Sequence, residues 1–203
     1  LTFQILEFAM NPSMKPNPRA VVVIPVYNEN GKIGRLIRGF QRGCVDEICV
    51  VVDSPTQAIL NEIERGSHQT DVPVNLVLNR ERKGVGFAIR EGIQHAIQGG
   101  FDVVVVMAGN GKDDPREIPR LLKPIVEDGC DYVQGSRFIS GGRSVRNPFL
   151  RWVFSRLYPL IWTLLTDIRC TDVTNGFRAY KTGIFNDCSI NIWQSWLDGY
   201  GLE

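Results

Sequence analysis

The residues able to do chemistry in this chain cluster where apolar runs end. Residues 103–106 are four valines, and Met107-Ala108-Gly109-Asn110-Gly111-Lys112-Asp113-Asp114 follow before Pro115. Paired carboxylates, an amide and a lysine in that position can hold a cation or an anionic ligand, because open α/β sheets bind ligands beyond the carboxyl ends of their strands. Asp53 ends a second apolar run and precedes Ser54-Pro55. Its carboxylate can hold a base or sugar, or cap a helix opening at Pro55. Tyr27 and Glu29 follow a third run, 20–26. Tyr27 can stack on a base or cover the core. Glu29 can accept hydrogen bonds from a base or ribose, or complement the dipole of the next helix. A fourth cluster, Asn79-Arg80-Glu81-Arg82-Lys83-Gly84-Val85-Gly86, joins three cations to two glycines. Glycines let backbone approach a ligand, and a helix N-terminus favours anions. The other reading is a tight turn with solvated charges. The dinucleotide pattern is incomplete, since Ile89 stands at the third glycine position, which argues against a Rossmann dehydrogenase.

The elements that must position these residues alternate in type. Apolar, β-branched runs at 20–26, 47–52 and 101–107 predict buried strands, 74–78 predicts a further strand, and 131–134 begins another. Helical spacing predicts helices over 32–42, 55–65 and 84–97, and Pro115 suits the first turn of a further one. Strands separated by helices imply right-handed crossovers and a mostly parallel α/β sheet. Each polar cluster follows a strand, so the clusters should gather on one edge.

Bulk properties narrow the classes. A 203-residue chain that is 43% hydrophobic suits one globular domain. A net charge of +1 gives no argument for a nucleic-acid partner. Five cysteines without a Cys-x-x-Cys pair, and only two histidines, argue against a zinc site or disulfide framework and for a reducing compartment. Residues 1–19 lack a basic leader and carry prolines at 12, 16 and 18, so they read as a leader or linker before a domain over 20–203.

In order, Val23-Ile-Pro25-Val-Tyr27-Asn28-Glu29, Lys83-Gly84-Val-Gly86, the loop after Met107, Gln134-Gly135-Ser136-Arg137-Phe138 and Asp172-Val-Thr-Asn175-Gly176-Phe177-Arg178 resemble the family 2 glycosyltransferases, in particular the dolichyl-phosphate mannose synthase-like branch. The resemblance runs from about Arg19 to Glu203. It implies the GT-A fold and transfer of a hexose, with inversion, from a nucleotide-diphosphate sugar to a polyprenyl-phosphate or glycan acceptor. On the donor side it implies Pro25, Tyr27, Glu29, Val51, Asp53, Lys83, Gly84, Ala108, Gly109 and Asn110, with Arg137 approaching the diphosphate. On the acceptor side it implies Asp172, Asn175 and Arg178, and Glu203 as a general base.

The chain departs from the family where a cation would bind. Ala108-Gly109-Asn110 stands in place of an Asp-x-Asp. Mg²⁺ and Mn²⁺ want oxygen ligands, usually a carboxylate or two plus substrate phosphates. Three readings are open: Asp113, with Asn110, replaces the missing ligands; Asp114 does; or Lys112 neutralises the diphosphate without a metal. Position alone favours Asp114 as the cap of the helix at Pro115. A nucleotide-sugar-binding module with weakened catalysis is the alternative to an active transferase. A nucleotidyltransferase ranks last, because Asn28-Glu29-Asn30-Gly31 is no phosphate loop.

Residues 148–166 are apolar, bear Trp and Tyr, and are interrupted by Arg151 and Arg156. This composition predicts a helix lying in a membrane interface, hence a cytoplasmic protein peripheral to the membrane. A helix packed on the sheet or on a partner segment is the other reading. The domain is expected to continue beyond Glu203.

Overall fold

The structure, a computed structural model, describes residues 2–6, 17–138, 149–166, 171–172 and 174–199, without the side chains of 2–6, 149–156 and 166. The elements are β1 (Thr2–Leu6), β2 (Ala20–Val26), α1 (Ile33–Arg38), β3 (Glu47–Asp53), α2 (Gln57–Ser67), β4 (Val74–Asn79), α3 (Val85–Gln98), β5 (Val103–Val106), α4 (Ile118–Glu127), β6 (Tyr132–Ser136), α5 (Phe149–Thr166) and β7 (Arg178–Lys181).

The strands form one sheet in the order β1-β6-β7-β5-β2-β3-β4. Its parallel half is β5-β2-β3-β4, as the alternating pattern predicts. Strand β7 then inserts antiparallel between β5 and β6. Nothing in its four residues, Arg-Ala-Tyr-Lys, announces a strand by apolar run. The expectation that 1–19 forms only a leader is corrected: Thr2–Leu6 pairs antiparallel with β6 and extends the sheet.

Strands β2, β3 and β5 are buried on both faces, which explains their valine runs, while β4 lies at the sheet edge with Leu76 and Leu78 exposed. Val22, Ile24, Val50, Val52, Val103 and Val105 pack with apolar residues of α1, α2 and α4. Val21, Val23, Val51, Val104 and Val106 pack with Ala88, Ile89, Ile93 and Ala96 of α3. Two helix layers therefore clamp the sheet, and the carboxyl ends of β2, β3, β4 and β5 emerge on one edge.

Candidate functional site

Asp53 is 3% exposed. Register places it opposite Asn79 at the ends of β3 and β4. Asn79 donates its side-chain N–H to Oδ1 at 2.9 Å, and the backbone N–H groups of Lys83 and Gly84 donate to Oδ2 at 3.1 and 2.8 Å. The carboxylate thus folds the 79–84 loop around itself. Helix α2 is capped by Thr56, whose Oγ1 accepts from the Ile59 N–H, so Asp53 is not that cap.

Tyr27 is 45% exposed, and the Arg82 guanidinium lies over its ring at 4.3 Å. Lys83 lies over Phe87 at the same distance. The Glu29 carbonyl accepts from the N–H groups of Lys32 and Ile33, while its carboxylate lies 3.7 Å from Lys32 Nζ. Gly109 seats the β5 loop on the end of β2: a Cβ there would meet Pro25 O and Val26 Cγ2 at 3.1 Å and Glu29 Cγ at 3.4 Å. One donor-side expectation is corrected. Val51 is fully buried in the core facing α3, so its side chain reaches no ligand.

The loop after β5 folds back on itself. Asn110 Oδ1 accepts from the Lys112 N–H at 3.0 Å, an Asx turn. Gly111 completes the reversal at φ 71°. The turn returns Asp113 to the strand end, where the Ala108 backbone N–H favours its ionised carboxylate. Burial pushes the Asp113 carboxyl up to about 6, and Glu117 adds to this, while the Ala108 N–H, Arg137 and Lys112 pull it down. Asp114 does something else. It caps the 3₁₀ turn at Pro115–Glu117 and pairs with Arg116 at 2.6 Å, which holds its carboxyl below the usual range. The structure therefore separates the two acids: Asp113 faces the strand edge and Asp114 is engaged by the cap.

Arg137 follows β6. It donates to Asp172 from its backbone N–H at 3.0 Å, from Nε at 2.7 Å and from Nη2 at 2.8 Å, and Nη2 also donates to Thr174 Oγ1 at 2.6 Å. The paired carboxylate holds the guanidinium firmly charged. The Nη1 edge is uncommitted in these bonds and keeps two N–H donors. Asp172 is 2% exposed, so it acts by holding Arg137. Asn175, expected on the acceptor side, is buried: its side-chain N–H donates to Gly135 O at 2.7 Å and its Oδ1 accepts from the Phe177 N–H. It fastens β6 to the start of β7. Arg178 donates through Nε to Asn175 O at 2.9 Å. Glu203 lies outside the described residues.

The anion site expected at the start of α3 is corrected too. The Gly86 N–H donates to the carbonyls of Asp198 and Gly199, and the Phe87 N–H to that of Asp198. The helix N-terminus is capped by protein, not left for phosphate. Sequence reasoning named Asn79 without a role of its own and missed Thr174, Arg90 and Asp198. Only Arg90 left a signal, a cation among the apolar positions of α3.

Solved structures share this architecture. Glucosyl-3-phosphoglycerate synthase from Mycobacterium tuberculosis, in complex with Mn²⁺, uridine diphosphate and phosphoglyceric acid, matches with a TM-score of 0.60 at 20% identity, over 82% of this chain and 57% of that one. The same enzyme with Mg²⁺ and uridine diphosphate matches with a TM-score of 0.58. This chain spans less than two thirds of the length of those structures. The fold is that of the GT-A glycosyltransferases. The model of "Glycosyl transferase family 2" matches residues 21–188, and the chain belongs to that family. Among curated relatives, the polyprenol monophosphomannose synthase of Mycolicibacterium smegmatis is 29% identical over 188 residues, 90% of this chain and 69% of the relative. The undecaprenyl-phosphate mannosyltransferase of Micrococcus luteus is 26% identical over 91% of this chain and 74% of its own length. This chain is a transferase by family.

Proposed function

We propose that this chain transfers a hexose from a nucleotide-diphosphate sugar to a polyprenyl phosphate, with inversion at the anomeric carbon. The relatives named for polyprenyl-phosphate mannosylation support the acceptor class. The observation that carries the site is the Arg137 guanidinium after β6, fixed by Asp172 at 2.7 and 2.8 Å, with the β5 loop folded back by the Asn110 turn so that the Asp113 charge bears on Arg137.

In this reading the 25–29 segment and the 79–84 loop receive the nucleoside, with Asp53 shaping that loop and Tyr27 offering a ring face. The acceptor oxygen attacks C1 as the bond from C1 to the diphosphate oxygen breaks. The diphosphate leaves with the electron pair, and the Arg137 Nη1 edge receives its charge. A phosphate acceptor is already anionic at neutral pH, so its attack needs no strong base. Positioning and charge neutralisation supply the catalysis.

A divalent cation fits these residues in a limited way. No group of three or more His, Cys, Asp or Glu side chains able to hold a metal occurs among the described residues. Of the two acids in the β5 loop, Asp114 is engaged by Arg116 and its cap, which leaves Asp113, and the Asn110 carbonyl is engaged by the Lys112 N–H. One carboxylate with a donor diphosphate is within what Mg²⁺ or Mn²⁺ accepts. Asp113 would hold such an ion, which would neutralise the leaving diphosphate.

Helix α5 supports docking on a membrane surface. No helix among the described residues is long and apolar enough to cross a membrane. Yet Leu157, Leu160, Ile161, Leu164 and Leu165 are all exposed, Leu164 at 83%. Their spacing puts a broad apolar face on one side of the helix, as an interfacial helix requires.

The second reading, a nucleotide-sugar-binding module with weakened catalysis, is favoured by Ala108 at a ligand position. Incubation with UDP- and GDP-sugars and a short polyprenyl phosphate, with and without Mn²⁺, separates the two. Sugar-phosphate lipid should form with at least one donor. Donor binding without transfer or hydrolysis would establish the binding module.

A further inference from the structure

Arg90 sits in the middle of α3, 6% exposed, on the helix face that packs inward. A buried cation is costly unless paired. Among the described residues its polar partners come from a single distant segment, 192–198. Nη1 donates to Gln194 O at 2.6 Å and to Ile192 O at 3.2 Å, and Nη2 pairs with the Asp198 carboxylate. The same segment caps the helix. Asp198 O accepts from the N–H groups of Gly86 and Phe87 at 2.9 and 3.2 Å, and Gly199 O from Gly86 at 3.0 Å.

The glycines of the Gly84-x-Gly86 motif serve this contact. Gly84 has φ +101°, and a Cβ on it would stand 2.3 Å from Asp198 O. A Cβ on Gly86 would stand 1.8 Å from Leu197 O. Both distances forbid a side chain. Gly84 also donates its N–H to Asp53 Oδ2. The 192–199 segment therefore presses on the back of the loop whose front is shaped by Asp53.

We propose that Arg90 is a positioning residue for the donor site: it latches residues 192–199 onto the start of α3, and the latch holds the 79–84 loop in its nucleotide-receiving shape. This rests on the donor site proposed above. Arg90 touches no ligand in this account. Its fork-shaped donors reach two carbonyls and a carboxylate at once, which a lysine ammonium does not reproduce.

The test compares wild type with Arg90→Lys, Arg90→Ala and Asp198→Asn, the last removing only the partner charge. Hydrogen exchange is read at the amides of 84–87, and UDP and GDP binding in Mn²⁺ by calorimetry. Lys181→Met breaks the buried Lys181–Asp131 pair on the β6–β7 side of the sheet and serves as a control for general destabilisation. The expected result is faster exchange at Gly86 and Phe87 and about tenfold weaker nucleotide binding in Arg90→Ala, with smaller effects in Arg90→Lys and Asp198→Asn. Lys181→Met should leave nucleotide affinity unchanged. Unchanged exchange in all three latch variants overturns the latch. Faster exchange with unchanged affinity, or an equal loss in Lys181→Met, overturns the coupling. Failure of the wild type to bind either nucleotide overturns the donor site and the coupling with it, while the exchange rates still report on the latch.

Discussion

Asp172 holds Arg137 along three directions at once, through the backbone N–H, Nε and Nη2, at 2.7 to 3.0 Å. A carboxylate that is 2% exposed thereby fixes both the backbone and the guanidinium plane of the residue after β6. Such fork-shaped pairing leaves the Nη1 edge of the arginine outside these bonds.

Removing either member of this pair should weaken donor binding. Arg137→Ala removes the charge and Asp172→Asn releases its orientation. Each should lower nucleotide-sugar affinity by about tenfold or more, the scale of a lost charge-assisted hydrogen bond. Calorimetry with UDP- and GDP-sugars checks this. Unchanged affinity in both, and in Asp53→Ala, would remove these residues from the donor site.

Asp113 sets a pH dependence. Its carboxyl is raised from 3.8 to about 6, chiefly by burial. Between those values the unfolded chain gives up this proton first, so the group's contribution to stability is complete below about 3.8 and is lost as pH rises through about 6. Asp113→Asn, which mimics the protonated form, should melt higher than wild type at pH 7, and the two Tm values should converge near pH 4 (about the ordinary carboxylate pKa). Donor affinity in Mn²⁺ should rise with pH through about 6 in wild type and stay flat in the variant. Parallel melting curves across the range would contradict the assignment.

Cation dependence should be weak and improvable. Of the two acids in the β5 loop, Asp114 is taken by Arg116 and its cap, which leaves Asp113, so chelation with EDTA should reduce donor affinity only in part. Ala108→Asp restores a second carboxylate at a half-buried position. It should tighten Mn²⁺ binding in the presence of UDP by about tenfold, as a site gains when a hard cation receives another oxygen anion. Equal Mn²⁺ affinity in both proteins would place the ion elsewhere.

The exposed face of α5 should govern membrane attachment without touching the donor site. Leu160→Ser combined with Leu164→Ser removes two side chains that are 68% and 83% exposed. Co-sedimentation with anionic liposomes should fall several-fold, because binding scales with buried apolar area. Melting temperature and nucleotide affinity should hold. Undiminished sedimentation would assign attachment to another surface.

The valine runs, the helices between them and the loop after β5 were legible because burial on both faces and a period of 3.6 leave local signatures. Glu29 and Asp53 were equally visible as polar ends of strands. Their partners were not. The choice between Asp113 and Asp114 turned on one Asx turn at Asn110 and the reversal at Gly111. Either acid had the right chemistry, and only the path of the loop distinguished them.

Sequence by itself determined the fold class and the polar loops at the strand ends, and the family resemblance named Arg137 as a diphosphate contact to test. Tertiary structure alone decided what surrounds them. Strand β7 enters between β5 and β6, which sets Asp172 against Arg137 across 35 residues. The 192–199 segment returns to α3, which sets Gln194 against Arg90 across 104 residues. Pairings at such separations follow from where the sheet has room for another strand and where a buried charge finds its counter-dipoles. No local pattern records either, and both reshape the strand-end loops on which the proposed chemistry depends.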